Sequence, residues 1–290
     1  MKHRDIQKVK VRMWDMLVGE LAIDDSGFGY FRYADEFITS GLNPAPITMP
    51  VKKGATYSFK SLNPETFKGL PGMIADSLPD AFGDNLLDIY FIEKAVKNQA
   101  NIQLLKLCYV SHKAIGALEF VPSLKIEGQS DELQIADLSH IVDQLISSKK
   151  GISLGDLNKI QDIISISSSL GGAAPKAVLG INFKTNLIKP GNIDLPQDYE
   201  YWIIKFDAIK QNSQIDVGEP MGFTNVEYVY HLMAKKAGIQ IQMTECNLFK
   251  DEKRQHFLTK RFDRIDNKKI HTQTLHAIAH MDSYKTWDIA

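Results

Sequence analysis

Apolar positions read first as strands, then fall at helical spacing, then read as strands again, and this divides the chain into regions. Val9 to Leu17 and Glu20 to Ile23 flank Gly19 and predict a hairpin turning at that glycine. Phe28-Gly29-Tyr30-Phe31-Arg32-Tyr33 predicts an aromatic strand. Ile47-Thr48-Met49-Pro50-Val51 predicts another, at a sheet edge because of its proline, with the Pro44–Pro46 turn between them. Helical spacing begins near residue 70. Asp80 to Asn85 leads into Leu86, Leu87, Tyr90, Phe91 and Ala95 at three- and four-residue steps, and Pro79 breaks this helix from the one before it. A further helix is expected over Asn101 to Val110, then a strand from Gly116 ending at Pro122.

The second half repeats the contrast. Leu133, Ile135, Leu138, Ile141, Val142 and Leu145 form one helical stripe, and Leu154 to Ile164 a short helix. Lys176 to Phe183 and Tyr201 to Phe206 read as strands, separated by a loop rich in Pro, Gly, Asn and Asp from Lys189 to Asp198. The polar run Ser123 to Asp131, with Gly128, is the best boundary, and it divides the chain into domains 1–122 and 123–290.

Composition narrows the class. The chain has 290 residues, 44% hydrophobic and 24% charged, enough apolar surface for a buried core. Its 34 basic and 35 acidic residues nearly cancel, which argues against a strongly basic grip on nucleic acid. Two cysteines, Cys108 and Cys246, can build neither a disulfide framework nor a zinc knuckle, and they fit a reducing cytoplasm. The polar start, Met1 to Lys10, has no secretory pattern, and no stretch approaches the ~20 apolar residues of a membrane span. A soluble cytoplasmic protein with no membrane role is expected.

Three features then fall in order: Ser167-Ser168-Ser169-Leu170-Gly171-Gly172-Ala173-Ala174-Pro175-Lys176 before a strand; Lys205 inside the apolar strand Trp202 to Phe206; and Thr224-Asn225-Val226-Glu227 opening a helix with Val229, Leu232, Met233 and Ala237 on its apolar side. Small residues let backbone N–H groups approach phosphates. A lysine within a strand is costly unless it meets an anion or keeps its head in water. A glutamate on the next helix can hold such an ammonium, the layout by which kinases grip ATP. Thr224 and Glu227 equally fit a capping box, in which the glutamate bonds the cap N–H instead. Walker, dinucleotide, nucleophile-elbow and H-E-x-x-H motifs are absent. His271, His276 and His280 cluster, but without a supporting carboxylate or cysteine motif they read as exposed or interfacial, not as metal ligands.

The stretch Gly69-Leu70-Pro71-Gly72-Met73-Ile74-Ala75-Asp76-Ser77-Leu78-Pro79-Asp80-Ala81-Phe82-Gly83 resembles the N-terminal domain of the HipA family, serine/threonine kinases that act as toxins in bacterial toxin–antitoxin pairs. Gly171 to Ala177 is similar to that family's Gly-rich ATP loop, Trp202 to Lys205 to its ATP-lysine strand, and Lys260-Arg261-Phe262-Asp263-Arg264 to the segment joining the two kinase halves. The likeness runs over essentially the whole chain. It implies ATP and Mg2+ as cofactors. Gly171, Gly172, Ala173, Ala174, Pro175 and Lys176 would lie at the phosphates, with Lys205 bridging them and Glu227 as its partner. Lys260, Arg261 and Phe262 would flank adenine and ribose. Ser169 matches the autophosphorylated serine, with Ser167 and Ser168 near enough to replace it. About two added negative charges there would repel nucleotide.

The same resemblance implies an α+β architecture: an N-terminal β-rich domain with a helical extension, then a kinase-like small lobe of antiparallel sheet and helices. It implies phosphorylation of a protein substrate of the translation-factor or aminoacyl-tRNA-synthetase class. It also implies a DNA-binding HipB-like antitoxin as partner, with DNA contacted only through it. The family's catalytic aspartate, magnesium asparagine and metal aspartate lie beyond the segment like 260–264. No such run follows Arg264, so the chain is expected to stop before the catalytic lobe and not to transfer phosphate alone. A non-catalytic module that binds an antitoxin or a subunit is the alternative.

Overall fold

The computed structural model describes residues 6–94, 96, 101–126, 132–147, 162–164, 166, 174–207, 209–212, 215–239, 245–251 and 254–282. They divide into two units, one from the chain up to Lys125 with the segment from Lys269 onward, the other between Ile126 and Lys268. The architecture is α+β, with antiparallel sheets and helices, as expected. Among the described residues no helix is long and apolar enough to cross a membrane.

The first unit opens with β1 (Lys8–Met13), β2 (Met16–Ile23) and β3 (Gly29–Tyr33), then α1 (Asp35–Ile38), β4 (Thr56–Tyr57), α2 (Pro64–Phe67), α3 (Gly72–Ala75), α4 (Ala81–Glu93), α5 (Ile102–Val110) and β5 (Leu118–Val121). The strands form one sheet in the order β4-β3-β2-β1-β5. Val9, Val11 and Met13 alternate inward from β1 and join Leu21, Phe31, Leu104, Leu107 and Phe120 in the core. The expected hairpin is present, but it turns at Trp14 and Asp15, both with positive φ, and not at Gly19. A two-residue hairpin turn needs that left-handed backbone, which here is taken without glycine. Gly19 lies within β2, where a Cβ would meet the Arg32 carbonyl oxygen of β3 at 2.2 Å.

Ile47 to Val51 forms no strand. Pro46 and Pro50 cannot donate to a ladder, so the segment coils with Met49 buried, Ile47 exposed and the Met49 carbonyl accepting from the Tyr33 hydroxyl at 2.8 Å. The helix after Pro79 begins as expected: Asp80 caps α4 by accepting from Gly83 N–H at 2.8 Å. Buried Lys106 of α5 meets Asp84 at 2.5 Å and Asp88 at 2.9 Å, both on α4.

The second unit contains α6 (Ile135–Ser147), β6 (Lys176–Asn182), β7 (Leu187–Pro190), β8 (Glu200–Lys205), β9 (Ile209–Asn212), β10 (Ile215–Pro220), α7 (Phe223–Lys236), β11 (Cys246–Lys250) and β12 (Gln255–Lys260). A five-stranded antiparallel sheet runs β11-β12-β8-β6-β7, and β9 pairs with β10. Ala177, Leu179, Ile181, Trp202, Ile204 and Leu258 share one face and are buried. Helix α6 is tied to that face through Ser139 and Asp143. The short helix expected at Leu154 to Ile164 lies mostly outside the described residues.

A small hairpin, β13 (Arg264–Ile265) with β14 (Lys268–Lys269), precedes α8 (Leu275–Ala279). From Lys269 onward the chain folds with the first unit. Lys269 Nζ meets Glu119 at 2.6 Å, and Thr274 gives its N–H and hydroxyl to Asp76 at 2.8 and 2.7 Å. Gly72 N–H donates to His280 Nε2 at 3.1 Å, and a Cβ on Gly72 would meet the Ala277 carbonyl oxygen at 2.2 Å. Asp282 accepts from Asn63 and Thr66 at 3.0 and 2.8 Å. His280 therefore packs inside this unit against Phe59 and Phe67, and His276 bonds Thr274, the N-cap of α8.

The close approach at Gly72 gives a test. Gly72→Ala should destabilise the first unit by about 1–3 kcal/mol, the usual cost of overpacking. Chemical denaturation followed by tryptophan fluorescence and circular dichroism would show it; an unchanged midpoint would show that α8 does not dock there.

Candidate functional site

Strand β8 is central, and its register sets the site. Lys205 stands opposite Lys176 of β6 on one side and Phe257 of β12 on the other. Directly opposed residues of antiparallel strands project to the same face, so both ammonium groups lie on the face away from Trp202 and Ile204. Like charges in that arrangement repel, and they are relieved only by anions. Glu227 of α7 supplies one: its Oε2 lies 2.6 Å from Lys205 Nζ. Lys205 Nζ also sits 5.8 Å from the centroid of the Phe257 ring. The pair is 31% and 40% exposed. Ion pairs this exposed contribute only ~0.2–1 kcal/mol to stability, too little to explain the arrangement as a folding device.

The capping-box alternative for Glu227 is not what forms. Gly222 is the N-cap of α7, with φ 73°, and Thr224 lies inside the first turn. The Thr224 hydroxyl donates to the Gln255 carbonyl of β12 at 2.6 Å, anchoring the helix start to the sheet and leaving Glu227 for Lys205. The apolar side read from the sequence does not face a core: Val229, Leu232, Met233 and Ala237 are all exposed.

Not every expected residue gathers here. Lys260 lies three positions from Phe257 on β12 and so projects to the opposite face. It is held by Glu200 at 3.1 Å and Glu245 at 3.5 Å, with Nζ 5.9 Å from the Trp202 ring centroid. Arg261 is buried, forked onto Asp263 at 2.8 and 2.7 Å, and it also donates to the Gly191 carbonyl at 2.9 Å. Phe262 is half-buried. Ala174 is exposed and Pro175 half-buried, leading into buried Lys176. Ser167, Ser168, Ser169, Gly171, Gly172 and Ala173 lie outside the described residues.

Two family models match the chain: the HipA N-terminal domain over residues 9–121 and the HipA-like C-terminal domain over residues 168–289. The chain belongs to the HipA family. Among solved structures, the complex of Shewanella oneidensis MR-1 toxin–antitoxin proteins HipA and HipB with operator DNA contains a similar chain. The match has a TM-score of 0.52 and 16% identity, and covers 91% of this chain and 53% of that one. At that identity the likeness is one of fold. This HipA-family chain spans about half the length of that relative. No curated protein matches it by sequence.

Beside the lysine–glutamate pair, this HipA-family chain carries a buried polar cluster that sequence reading missed. Arg254 grips Asp143 of α6 with both terminal nitrogens at 2.7 Å, meets Asp251 at 3.2 Å and donates to the Asp207 carbonyl at 2.8 Å. His256 Nδ1 accepts from Asp207 N–H at 3.1 Å, which places the ring proton on Nε2, within 2.9 Å of Asp251 and 3.0 Å of Ser139. Serine, histidine and aspartate are all present. Both partners meet the same ring nitrogen, however, so this is a clamp and not a nucleophile relay. The sequence signal was slight: charged residues, Asp207 and Arg254, at the ends of apolar strands.

Burial holds His256 below the ordinary histidine value despite the opposing pull of Asp251, and it does the same for His271 and His280. A histidine kept neutral in the fold binds fewer protons than the unfolded chain. Its stabilising contribution is present above the unfolded value of 6.5 and is lost as pH falls through the folded value. The melting temperature should therefore fall between pH 7 and pH 5. His256→Gln should flatten part of that slope in differential scanning fluorimetry; an equal slope in the variant would remove His256 from the account.

Proposed function

We propose that this chain forms the nucleotide-gripping part of a HipA-type serine/threonine kinase. Lys205 would contact the phosphates of ATP, and Glu227 would hold its ammonium in place. Lys176 would add a second charge from the end of the loop Gly171 to Pro175. The observation that carries this is the 2.6 Å Lys205–Glu227 contact on the face that also bears Lys176. Two cationic groups on one sheet face suit a polyanion. Among the described residues no group of three or more His, Cys, Asp or Glu is placed so that it could hold a metal ion. Mg2+ is therefore proposed to arrive with the nucleotide, and no ligand to it is assigned. Within the segment 260–262, Phe262 is the side chain left for the base, since Lys260 and Arg261 are engaged elsewhere.

For the whole protein the proposal extends to phosphorylation of a protein substrate and to autophosphorylation at Ser169 or Ser167, where added charge would oppose nucleotide binding. A DNA-binding HipB-like antitoxin is the proposed partner, and the cytoplasm the proposed compartment. One observation favours the alternative of a docking module: the exposed apolar residues on α7.

Isothermal calorimetry with ATP and Mg2+ separates the two. Binding that weakens at least about ten-fold in Lys205→Ala, roughly 1.4 kcal/mol, supports the nucleotide site. Glu227→Gln should give a smaller loss, and its stability should shift by less than about 1 kcal/mol. No binding by the unaltered chain, or binding indifferent to Lys205→Ala, would overturn the proposal.

A further inference from the structure

We infer that Asp207 is a positioning residue that sets the Lys205–Glu227 pair by gripping the start of α7. The inference rests on the nucleotide-site reading above and deepens it.

Asp207 lies two residues beyond Lys205 and is 1% exposed. Each of its polar groups but one is engaged. Its N–H is taken by His256 Nδ1 at 3.1 Å, and its carbonyl by Arg254 at 2.8 Å. Its Oδ2 accepts the Gly222 N–H at 3.0 Å. The other carboxylate oxygen, Oδ1, is buried and meets no hydrogen-bond donor among the described residues. The two backbone bonds fix the residue from the side of α6, because Arg254 is clamped by Asp143 and His256 is held by Ser139 and Asp251. The side-chain bond points the other way, to the N-cap of α7.

Gly222 offers no side chain to cap the helix, and the first N–H groups of a helix need an acceptor. Asp207 supplies that acceptor from outside the helix, and its charge suits the positive helix start. Glu227 follows within the next two turns of α7. The carboxylate of Asp207 thereby couples the strand that carries Lys205 to the helix that carries its partner. Thr224, bonded to Gln255, fixes the same turn to β12 but does not reach β8. With the acceptor removed, the start of α7 keeps its tie to β12, which pairs with β8, and loses its direct tie beside Lys205, so the distance between the two charges is less tightly set.

The test uses the chain of residues 1–290 with Lys205→Ala, Asp207→Ala and Asp207→Asn. Asparagine keeps an oxygen for Gly222 and can place its amide where Oδ1 lies. Two readouts are taken: ATP affinity by calorimetry, and the rate of reductive methylation at Lys205 by mass spectrometry, which needs no nucleotide. Asp207→Ala should weaken ATP binding about five-fold or more and raise methylation at Lys205 by a similar factor, while Asp207→Asn should restore both to within about two-fold. A role in stability alone would lower the melting temperature and leave methylation of the folded protein unchanged. The inference is overturned if Asp207→Ala leaves Lys205 methylation unchanged, or if asparagine is as impaired as alanine. If the unaltered chain binds no ATP, the nucleotide-site reading fails, and the methylation arm still decides whether Asp207 sets the pair. If alanine does not fold, hydrogen exchange on the unaltered chain decides: ATP should slow exchange at Gly222 by reciprocity, and an unaltered rate there would overturn the coupling.

Discussion

Lys176 and Lys205 face each other across neighbouring strands, which puts two cationic side chains on one face of the second unit's sheet. Cross-strand ammonium groups are unfavourable without an anion nearby. Glu227 answers Lys205 directly, yet it is too exposed to add much stability. The arrangement makes physical sense as a prepared electrostatic surface, with donors fixed before a ligand arrives. What fixes them lies behind: Arg254 and His256 join α6 to Asp207, and Asp207 reaches to α7.

The first unit solves a different problem. Its sheet buries one face in the usual alternation, but its helical edge is completed by residues from far along the chain. The motif from Gly69 to Gly83 acquires a physical meaning from this. At Gly72 the chain after Lys269 packs too closely for a side chain, and Asp80 caps the long helix that follows. Sequence spacing cannot announce a contact over such a separation; the glycine is only its trace.

Much of the pattern was legible for local reasons. Apolar, β-favouring runs mark the strands at 8–23, 29–33, 176–182 and 200–205, and the cap at Asp80 marks α4, because these depend on neighbours in sequence. The hairpin turn was misplaced because Trp14 and Asp15 adopt a backbone usually left to glycine, while Gly19 serves close strand packing. Ile47 to Val51 misled because β-favouring residues sat between prolines. Lys205 and Glu227 could be named from order alone, but their contact depends on where Gly222 starts the helix. The directions of Lys260 and Arg261 depend on strand register, which the sequence does not print. Asp207, Arg254 and His256 were invisible because their value comes entirely from tertiary partners.

Lys205 and Lys176 are proposed to be stationed for the phosphates of a nucleotide. Labelling with an acyl-phosphate derivative of ATP, followed by peptide mass spectrometry, tests it most directly, since only a lysine beside the bound phosphates is acylated efficiently. The account predicts modification at Lys205 and Lys176, suppressed by excess ATP. Labelling confined to surface lysines such as Lys260, or insensitive to ATP, would contradict it.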